Sequence, residues 1–443
     1  MKRSDAQAML NETLLPAFTK ERARLDRIDR WVNNKQSYAN RGPARREKKY
    51  LEKLARKPWL RLVVISAAQM LQAERVYSSK RDVQAMWLPW DRNRLSTRQV
   101  PLYVDAIEYG TAYALGLPGD TGARLTLLSP RQMMALYQDP ANDEWPMSAV
   151  IVKDQPDESR LIWVLDEEKR WTFSTEKNRP LEFLTEEAHG LGVCPVVRYS
   201  PRLDLEGRAE GEVIPYITSA ASLIKTDEDR LRTQHFNSWR IRTAEGLDED
   251  ASDEDIHEAR QALEQDDILT GTGDMKFGTL EATDLGGFIS AHDSDLESLA
   301  ATSQTRTAAM TGKLINVSAD AINEANKSAY AKRAEFQLSL GGSHVQLLHL
   351  ASMIEGRMED AEDYSVRIGW ADTDSLTMGA AVDALGKAAQ MLGVPPQKLW
   401  PLIPGVDQTQ ADEWMAYSED HPSDDRVIAE AVSRQVSTSG ADL

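Results

Sequence analysis

Apolar residues recur at helical spacing in the first third of the chain, at every second position in the middle, and at helical spacing again through much of the rest. Leu10, Leu14, Phe18, Leu25, Ile28 and Val32 predict one amphipathic helix. Gly42-Pro43 interrupts the pattern, a second helix over Ala44–Lys57 stops before Pro58, and Trp59–Glu74 reads as an apolar helix with Leu62, Ile65, Gln69 and Gln72 near one line. Within Trp87–Leu117, Ser96 is placed to cap a helix, and Gly110 suits a helix end or a close approach of backbones. From Arg124 to Tyr199 the period shortens to two. It predicts strands at Arg124–Leu128, Ala135–Tyr137, Ala149–Lys153, Leu161–Leu165, Trp171–Ser174 and Val193–Tyr199, meandering and largely antiparallel.

Two long helices follow. Glu212–Phe236 carries Pro215 in its first turn, where a missing N–H costs little, and an apolar stripe through Val213, Ile217, Ala220, Ala221, Ile224 and Leu231. Glu228 and Arg232 are spaced for an i,i+4 pair. Ser294-Asp-Leu-Glu297 fits a capping box opening a helix that runs to Met310 and stops at Gly312, with Leu296, Leu299, Ala300, Ser303, Thr307 and Met310 as its stripe. Between them, Ser238–Gly287 predicts a strand at Trp239–Thr243, an acidic helix over Asp253–Leu263, and strands near Asp266–Thr270 and Lys276–Leu280. A polar loop, Thr311–Lys327, leads to a third helix, Ser328–Gly356, in which Gly341-Gly342 predicts a kink or a break. Helices over Leu376–Leu392 and Thr409–Tyr417 flank a compact turn around Trp400, Pro401 and Pro404; the polar end, Ser437–Leu443, is expected to be disordered. The fold class is α+β.

Composition sharpens this picture. At 443 residues the chain is long enough for two or three packed regions. No apolar run approaches the roughly 18–20 residues needed to span a bilayer, and MKRSDAQAML lacks the core of a signal peptide, so no membrane association is expected. Cys194 is the single cysteine, which excludes an intrachain disulfide and a cysteine-rich metal site. Net charge is −18, unevenly divided: residues 1–100 hold about 23 Lys/Arg against about 10 Asp/Glu, leaving roughly −31 on residues 101–443. Such an acidic bulk argues against tight, sequence-specific DNA binding but allows a surface that DNA slides past. The basic cluster Arg41, Arg45, Arg46, Lys48, Lys49, Lys53, Arg56 and Lys57 reads as a solvated helix surface, or as a contact to nucleic acid or an acidic neighbouring subunit.

Enzyme signatures are missing. No G-x-x-x-x-G-K-[ST] occurs, and Gly271–Gly278 has the wrong order for a phosphate loop, so the chain is not a packaging ATPase. H-E-x-x-H and G-x-S-x-G are absent. The acids Asp248, Glu249, Asp250, Asp253, Glu254 and Asp255 lack the spacing of a Ca²⁺ loop, and Asp372 with Asp374 reads as surface charge. No catalytic residue, metal site or cofactor is expected.

Several stretches carry a resemblance. His189–Arg198 (HGLGVCPVVR) enters a long helix; Trp90, Asn93, Leu95, Tyr109, Gly110 and Tyr113 lie in Trp87–Leu117; Ser328-Ala-Tyr-Ala-Lys-Arg-Ala-Glu335 opens the third helix; Pro404–Val406 precedes a helix with Trp414. Their types and order, over about Trp59–Trp414, resemble the portal proteins of tailed bacteriophages, in the branch common among phages of actinobacteria. That resemblance implies a portal fold: N-terminal helices and β-rich wing (1–210), first stem helix (211–237), clip (238–290), second stem helix (291–311), tunnel loop (312–327), kinked wing helix and following strand (328–370), and helical C-terminal crown (371–443). It implies a ring of twelve copies at one capsid vertex, assembled in the host cytoplasm, whose channel passes double-stranded DNA without sequence specificity during packaging and ejection. It implies as partners terminase, a head-completion or adaptor protein, and the major capsid protein or a scaffold. Lys313, Asn316, Ser318, Asn323 and Lys327 become candidate DNA-facing residues of the tunnel loop, and an ordinary solvated connection is the alternative. The small-residue faces bearing Ile217, Ala221, Ile224, Leu299, Ala300 and Ser303 become candidate subunit-packing surfaces. Two other readings stay open: a head-completion or minor capsid adaptor, and a nuclease using Asp372 and Asp374 with Mg²⁺.

Overall fold

The computed structural model describes residues 2–36, 46–79, 83–176, 180–238, 242–245, 276–279, 283–312, 319–371, 378–403, 406 and 408–421. Helices α1 (Arg3–Met9) and α2 (Leu15–Val32) join through one π turn, Leu10–Leu14. Ala6, Leu10, Leu14 and Phe18 are all buried at strict four-residue spacing. A four-residue step overshoots a regular turn by about 40°, and the wider π turn takes up part of that drift. Next come α3 (Arg46–Ala55), α4 (Trp59–Ala68), β1 (Ala73–Tyr77), α5 (Gln84–Arg92) and α6 (Leu95–Tyr109).

The middle of the chain is two antiparallel sheets. β2 (Ala112–Gly119) and β3 (Gly122–Leu128) pair with the later β9 (Val196–Tyr199) in the order β3-β2-β9. Between them in sequence, β4 (Met133–Leu136), β5 (Ser148–Asp154), β6 (Arg160–Leu165), β7 (Lys169–Thr175) and β8 (Glu182–Ala188) form a five-stranded meander. Alternation decides what each face meets. Val150, Val152, Ile162, Val164, Trp171 and Phe173 pack against the first turns of the N-terminal helices, while Ala149, Ile151 and Leu165 pack against Leu115, Leu128 and Val196 of the smaller sheet.

A 3₁₀ turn, Ile214–Tyr216, leads into α7 (Ile217–Ser238); β10 (Arg242–Glu245) and β11 (Lys276–Thr279) pair antiparallel; then come α8 (Gly286–Thr302), α9 (Thr307–Thr311) and the 36-residue α10 (Ala319–Ile354). The chain continues through α11 (Met358–Ala361), β12 (Arg367–Trp370), α12 (Met378–Leu392), α13 (Pro396–Leu399) and α14 (Gln408–Asp420). α10 is the spine of the main core, burying Phe336, Leu340, Leu347, Leu348, Leu350 and Ala351 against α5, α6, β12 and the smaller sheet.

Several elements differ from the sequence reading. Trp59–Glu74 is not one helix: α4 ends at Ala68, and residues 73–77 pair with β12. The side chain of Gln99 makes that strand possible, since its Oε1 accepts from Ala73 N (2.8 Å) and its Nε2 donates to Ala73 O (3.3 Å). The buried face of α4 is Leu60, Val63, Val64, Ala67 and Ala68, while Gln69 and Gln72 are exposed. Ser96 caps nothing; its Oγ accepts from Trp90 Nε1 at 3.1 Å, and Arg94 holds the cap position. α8 starts at Gly286, so Ser294 is an exposed mid-helix residue, and Ser303–Arg306 separates it from α9. α10 begins at Ala319, inside the stretch expected as loop, and runs unbroken through Gly341-Gly342. The acidic helix expected over Asp253–Leu263, the strand near Asp266–Thr270, Gly42-Pro43, and Asp372 with Asp374 lie outside the described residues.

Candidate channel-lining helices and their brace

α7 and α8 lie side by side and antiparallel. Ser222 Oγ donates to Asp295 (3.2 Å), Asp227 faces His292 (3.7 Å), and Asn237 Nδ2 donates to Thr283 O (2.8 Å), so rising numbers on one helix meet falling numbers on the other. At 1.5 Å per residue, 22 residues of α7 reach about 33 Å. Leu223 on α7 and Leu296, Leu299 and Ala300 on α8 close a small core with Met310 of α9 and Val63 of α4.

This packing relocates the expected subunit-packing stripe. Leu299, Ala300 and Ser303 are buried within one copy, as is Ile224; Ile217 packs beside the main core, and Ala221 is half-buried. The small side chains therefore serve contacts inside the protomer. Thr218, Ser222, Ser298, Ala301 and Thr302 are among the small residues that the pair leaves exposed.

Every Lys and Arg on α7 has a carboxylate partner. Arg230 meets Asp227 at 3.1 Å, Lys225 pairs with Asp229, and Arg232 pairs with the buried Glu228 at the i,i+4 spacing expected. Lys57, at the end of the basic segment, reaches Asp227 at 2.9 Å from outside the helix. α8 contains no Lys or Arg. The two helices together carry six carboxylates and three cations, so they offer phosphates no row of unpaired positive charge.

A buried ionic brace ties the ends of this pair to α10. Lys332 Nζ, 2% exposed, lies 2.6 Å from Glu212 Oε1 and donates to the Ser303 carbonyl at 2.8 Å. Arg202 bridges Glu212 (2.7 Å) and Glu335 (2.8 Å), and Tyr216 donates to Glu212 Oε1 (3.3 Å). One network thus joins the entry to α7, the exit from α8 and the flank of α10. Burial lowers the Lys332 ammonium pKa despite the neighbouring Glu212, while the hydrogen bond to Arg202 lowers that of Glu335. Sequence reasoning did not assign this network, although Lys332 and Glu335 belong to the Ser328–Glu335 stretch and Arg202 and Glu212 lie 4 and 14 residues beyond HGLGVCPVVR.

The entry to α7 is held by close backbone contact. Gly110, at φ +88°, ends α6; a Cβ there would lie 2.6 Å from the carbonyl carbon of Glu210, and one on Gly211 would lie 2.2 Å from Glu108 O. Gly110→Ala is expected to destabilise the protein by more than about 1 kcal/mol, read as a lower midpoint in urea unfolding; an unchanged midpoint would show that the loop yields freely.

Lys313, Asn316 and Ser318 lie outside the described residues. Asn323 falls within α10, and Lys327 is exposed on the same helix, 2.5 Å from Glu324. The other singled-out residues have structural roles. Trp90 is buried, Asn93 bonds Pro89 O, Ala123 O and Leu125 N, and Cys194 is buried between the sheets. Among the described residues no helix is long and apolar enough to cross a membrane, and no three His, Cys, Asp or Glu side chains are grouped to hold a metal ion.

A mixed helical and β fold with a braced helix pair on either side of a small β unit defines a structural protein of the portal class. The phage portal protein family, SPP1 Gp6-like, matches residues 11–422, and the chain belongs to that family. Comparison with curated proteins finds no match. Among solved structures, the chain is similar to a component of the neck of an empty GTA particle computed with C6 symmetry (TM-score 0.47, 12% identity, 80% of this chain and 95% of that one). It is also similar to one from the neck of a native GTA particle computed with C12 symmetry (0.46, 12%, 84% and 97%) and one from the virion of a native gene transfer agent particle (0.42, 11%, 85% and 99%).

Proposed function

We propose that twelve copies of this portal protein close into a ring at one capsid vertex, with α7 and α8 along a channel through which double-stranded DNA is packaged and later ejected. The observation that carries this reading is the charge of the helix pair. Phosphate contacts by Lys or Arg add affinity through counterion release, and a ring multiplies each contact by its copy number. A surface whose cations are already paired holds a duplex weakly and lets it pass. Lys313 and its neighbours Asn316 and Ser318, with Asn323 and Lys327 at the start of α10, would supply the few steadying donors. The protein has no reaction to catalyse in this reading. Terminase would dock during packaging, a head-completion protein afterwards, and the capsid protein or a scaffold would surround the ring, first in the host cytoplasm and then in the virion.

Ring closure requires a heterologous interface, one patch pair repeated around an axis. Mass measurement of the purified protein is expected to show a closed oligomer, and monomers at high concentration would end the proposal. Lys313→Glu is expected to leave assembly intact and reduce packaged DNA; a wild-type DNA yield would remove that residue from the channel.

A further inference from the structure

A cleft of about 320 Å³ opens between the two sheets, away from the helix pair. One wall is apolar: Leu117 and Pro118 on β2, with the buried Leu115 beside them. The facing wall is cationic. Trp163 on β6 lies opposite Ile151 of β5 and Thr172 of β7, so Lys153 and Arg170, two residues further along their strands, stand on the same sheet face on either side of it. The Lys153 ammonium sits 3.8 Å from the centre of the indole and the Arg170 guanidinium 4.7 Å from it. Arg124 of β3 adds a third cation at the rim, paired in register with Leu117.

These charges are poorly compensated. Arg170 pairs with Glu187, the one carboxylate of the lining, but its Nε is buried with no hydrogen-bond partner. Arg124 and Lys153 have no acidic partner among the described residues. Burial first, then Arg124 and Arg170, lower the pKa of the Lys153 ammonium. Like charges gathered against a tryptophan are a standing cost that an incoming anion would relieve.

We propose that this cleft binds a short acidic peptide segment of a partner protein, its carboxylates held by Arg124 and Lys153 and an adjacent aliphatic side chain seated on Leu117 and Pro118. The apolar wall argues for a peptide over free phosphate, which would leave Leu117 and Pro118 uncovered. The indole is taken by two cations, not offered to a base, and a chain of net charge −18 repels a long polyanion at a distance. The site is independent of the channel, and its failure would leave the ring proposal untouched.

The test is fluorescence anisotropy with labelled pentapeptides that flank leucine, phenylalanine or alanine with Asp and Glu, each against its Asn/Gln counterpart. The leucine peptide is expected to bind best, and to weaken about tenfold or more with Arg124→Gln plus Lys153→Gln, two neutral changes whose folding is checked by thermal unfolding. Arg208→Gln, an exposed cation elsewhere, is expected to leave binding within about twofold. Acidic peptides binding no better than neutral ones, or binding the double variant equally, would overturn the proposal. So would displacement of the peptide by equal concentrations of inorganic phosphate or short duplex DNA, which would assign the cleft to phosphate.

Discussion

Lys332→Met is expected to lower stability by about 3–5 kcal/mol, the range seen when one partner of a buried ion pair is removed. Methionine fills the space of the lysine stem but leaves Glu212 Oε1 with only the Tyr216 hydroxyl, and the Ser303 carbonyl without its ammonium donor. Arg202 stays on Glu212 Oε2, so the charge is not wholly abandoned, which places the cost below that of an isolated buried carboxylate. Adding Glu212→Gln should recover part of the loss, because the second change removes the charge that the first left unpaired. Urea unfolding of the single and double variants reads this directly. A Lys332→Met protein within about 1 kcal/mol of wild type would show that the brace holds no more than a surface ion pair does. The same variant is expected to assemble poorly, since the brace fixes where the two ends of the helix pair stand relative to α10.

How much of this is legible in the sequence follows from the range of each interaction. Leu10, Leu14 and Phe18 announce a buried face because a helix repeats its own address every turn, and the structure buries all three. The meander from Arg124 to Tyr199 is readable for the same reason at period two. β8 is not, because its sequence EFLTEEA lies at the exposed edge of the sheet and carries no apolar alternation. The strand at Ala73–Tyr77 depends on Gln99 and on β12, almost three hundred residues away, and no local pattern reports either. Ser294-Asp-Leu-Glu297 meets the capping pattern, yet Gly286–Asp293 extends the helix ahead of it. The stripe through Leu299, Ala300 and Ser303 is a packing face, as its spacing indicates. Its partner, Leu223 of the same copy, cannot be read from periodicity, which locates a buried face without naming what buries it.

The brace and the helix pair together explain a division of labour along the chain. Lys225 and Asp229 cancel at i,i+4 spacing on the exposed side of α7, so they set how the helix looks to a polyanion and contribute little to holding it in place. The charges that hold it are Glu212, Arg202 and Lys332 at its entry and the buried Asp227 and Glu228 along it, met by Lys57, Arg230 and Arg232, all wholly or partly taken out of water. Variants in the first group should change DNA passage at constant stability, and variants in the second should change assembly first.

The second large effect is expected at His344, fully buried in the main core. Tyr103 donates its hydroxyl proton to Gln99 Oε1 (3.0 Å), so His344 Nε2–H donates to Tyr103 Oη (2.7 Å), and Nδ1 accepts from Tyr199 (3.0 Å). Trp90 and Tyr199 meet the imidazole edge-on, and among the described residues no carboxylate stands near to welcome a second proton. Burial therefore drives its pKa down to about 3. A base with a lowered folded-state pKa makes the unfolded chain the better proton acceptor, so stability falls as pH drops below the unfolded value of 6.5 and stops falling near 3. By pH 5 the loss reaches about 2 kcal/mol. Glu108 acts in the opposite direction: burial raises its carboxyl pKa to about 7 from 4.5, so its contribution is intact below 4.5 and is lost as pH rises through 7. Between pH 4.5 and 6.5 the two slopes oppose one another in the wild-type protein, and single variants separate them. His344→Gln, though less stable at pH 7.5, should be less sensitive to acid than wild type by about 2 kcal/mol at pH 5, while Glu108→Gln should make acid sensitivity steeper. Denaturation midpoints measured from pH 4.5 to 8 decide the matter. If the His344→Gln curve runs parallel to wild type across that range, the imidazole carries a proton in the folded core and donates from both ring nitrogens, so Tyr199 would accept from it and not donate to it.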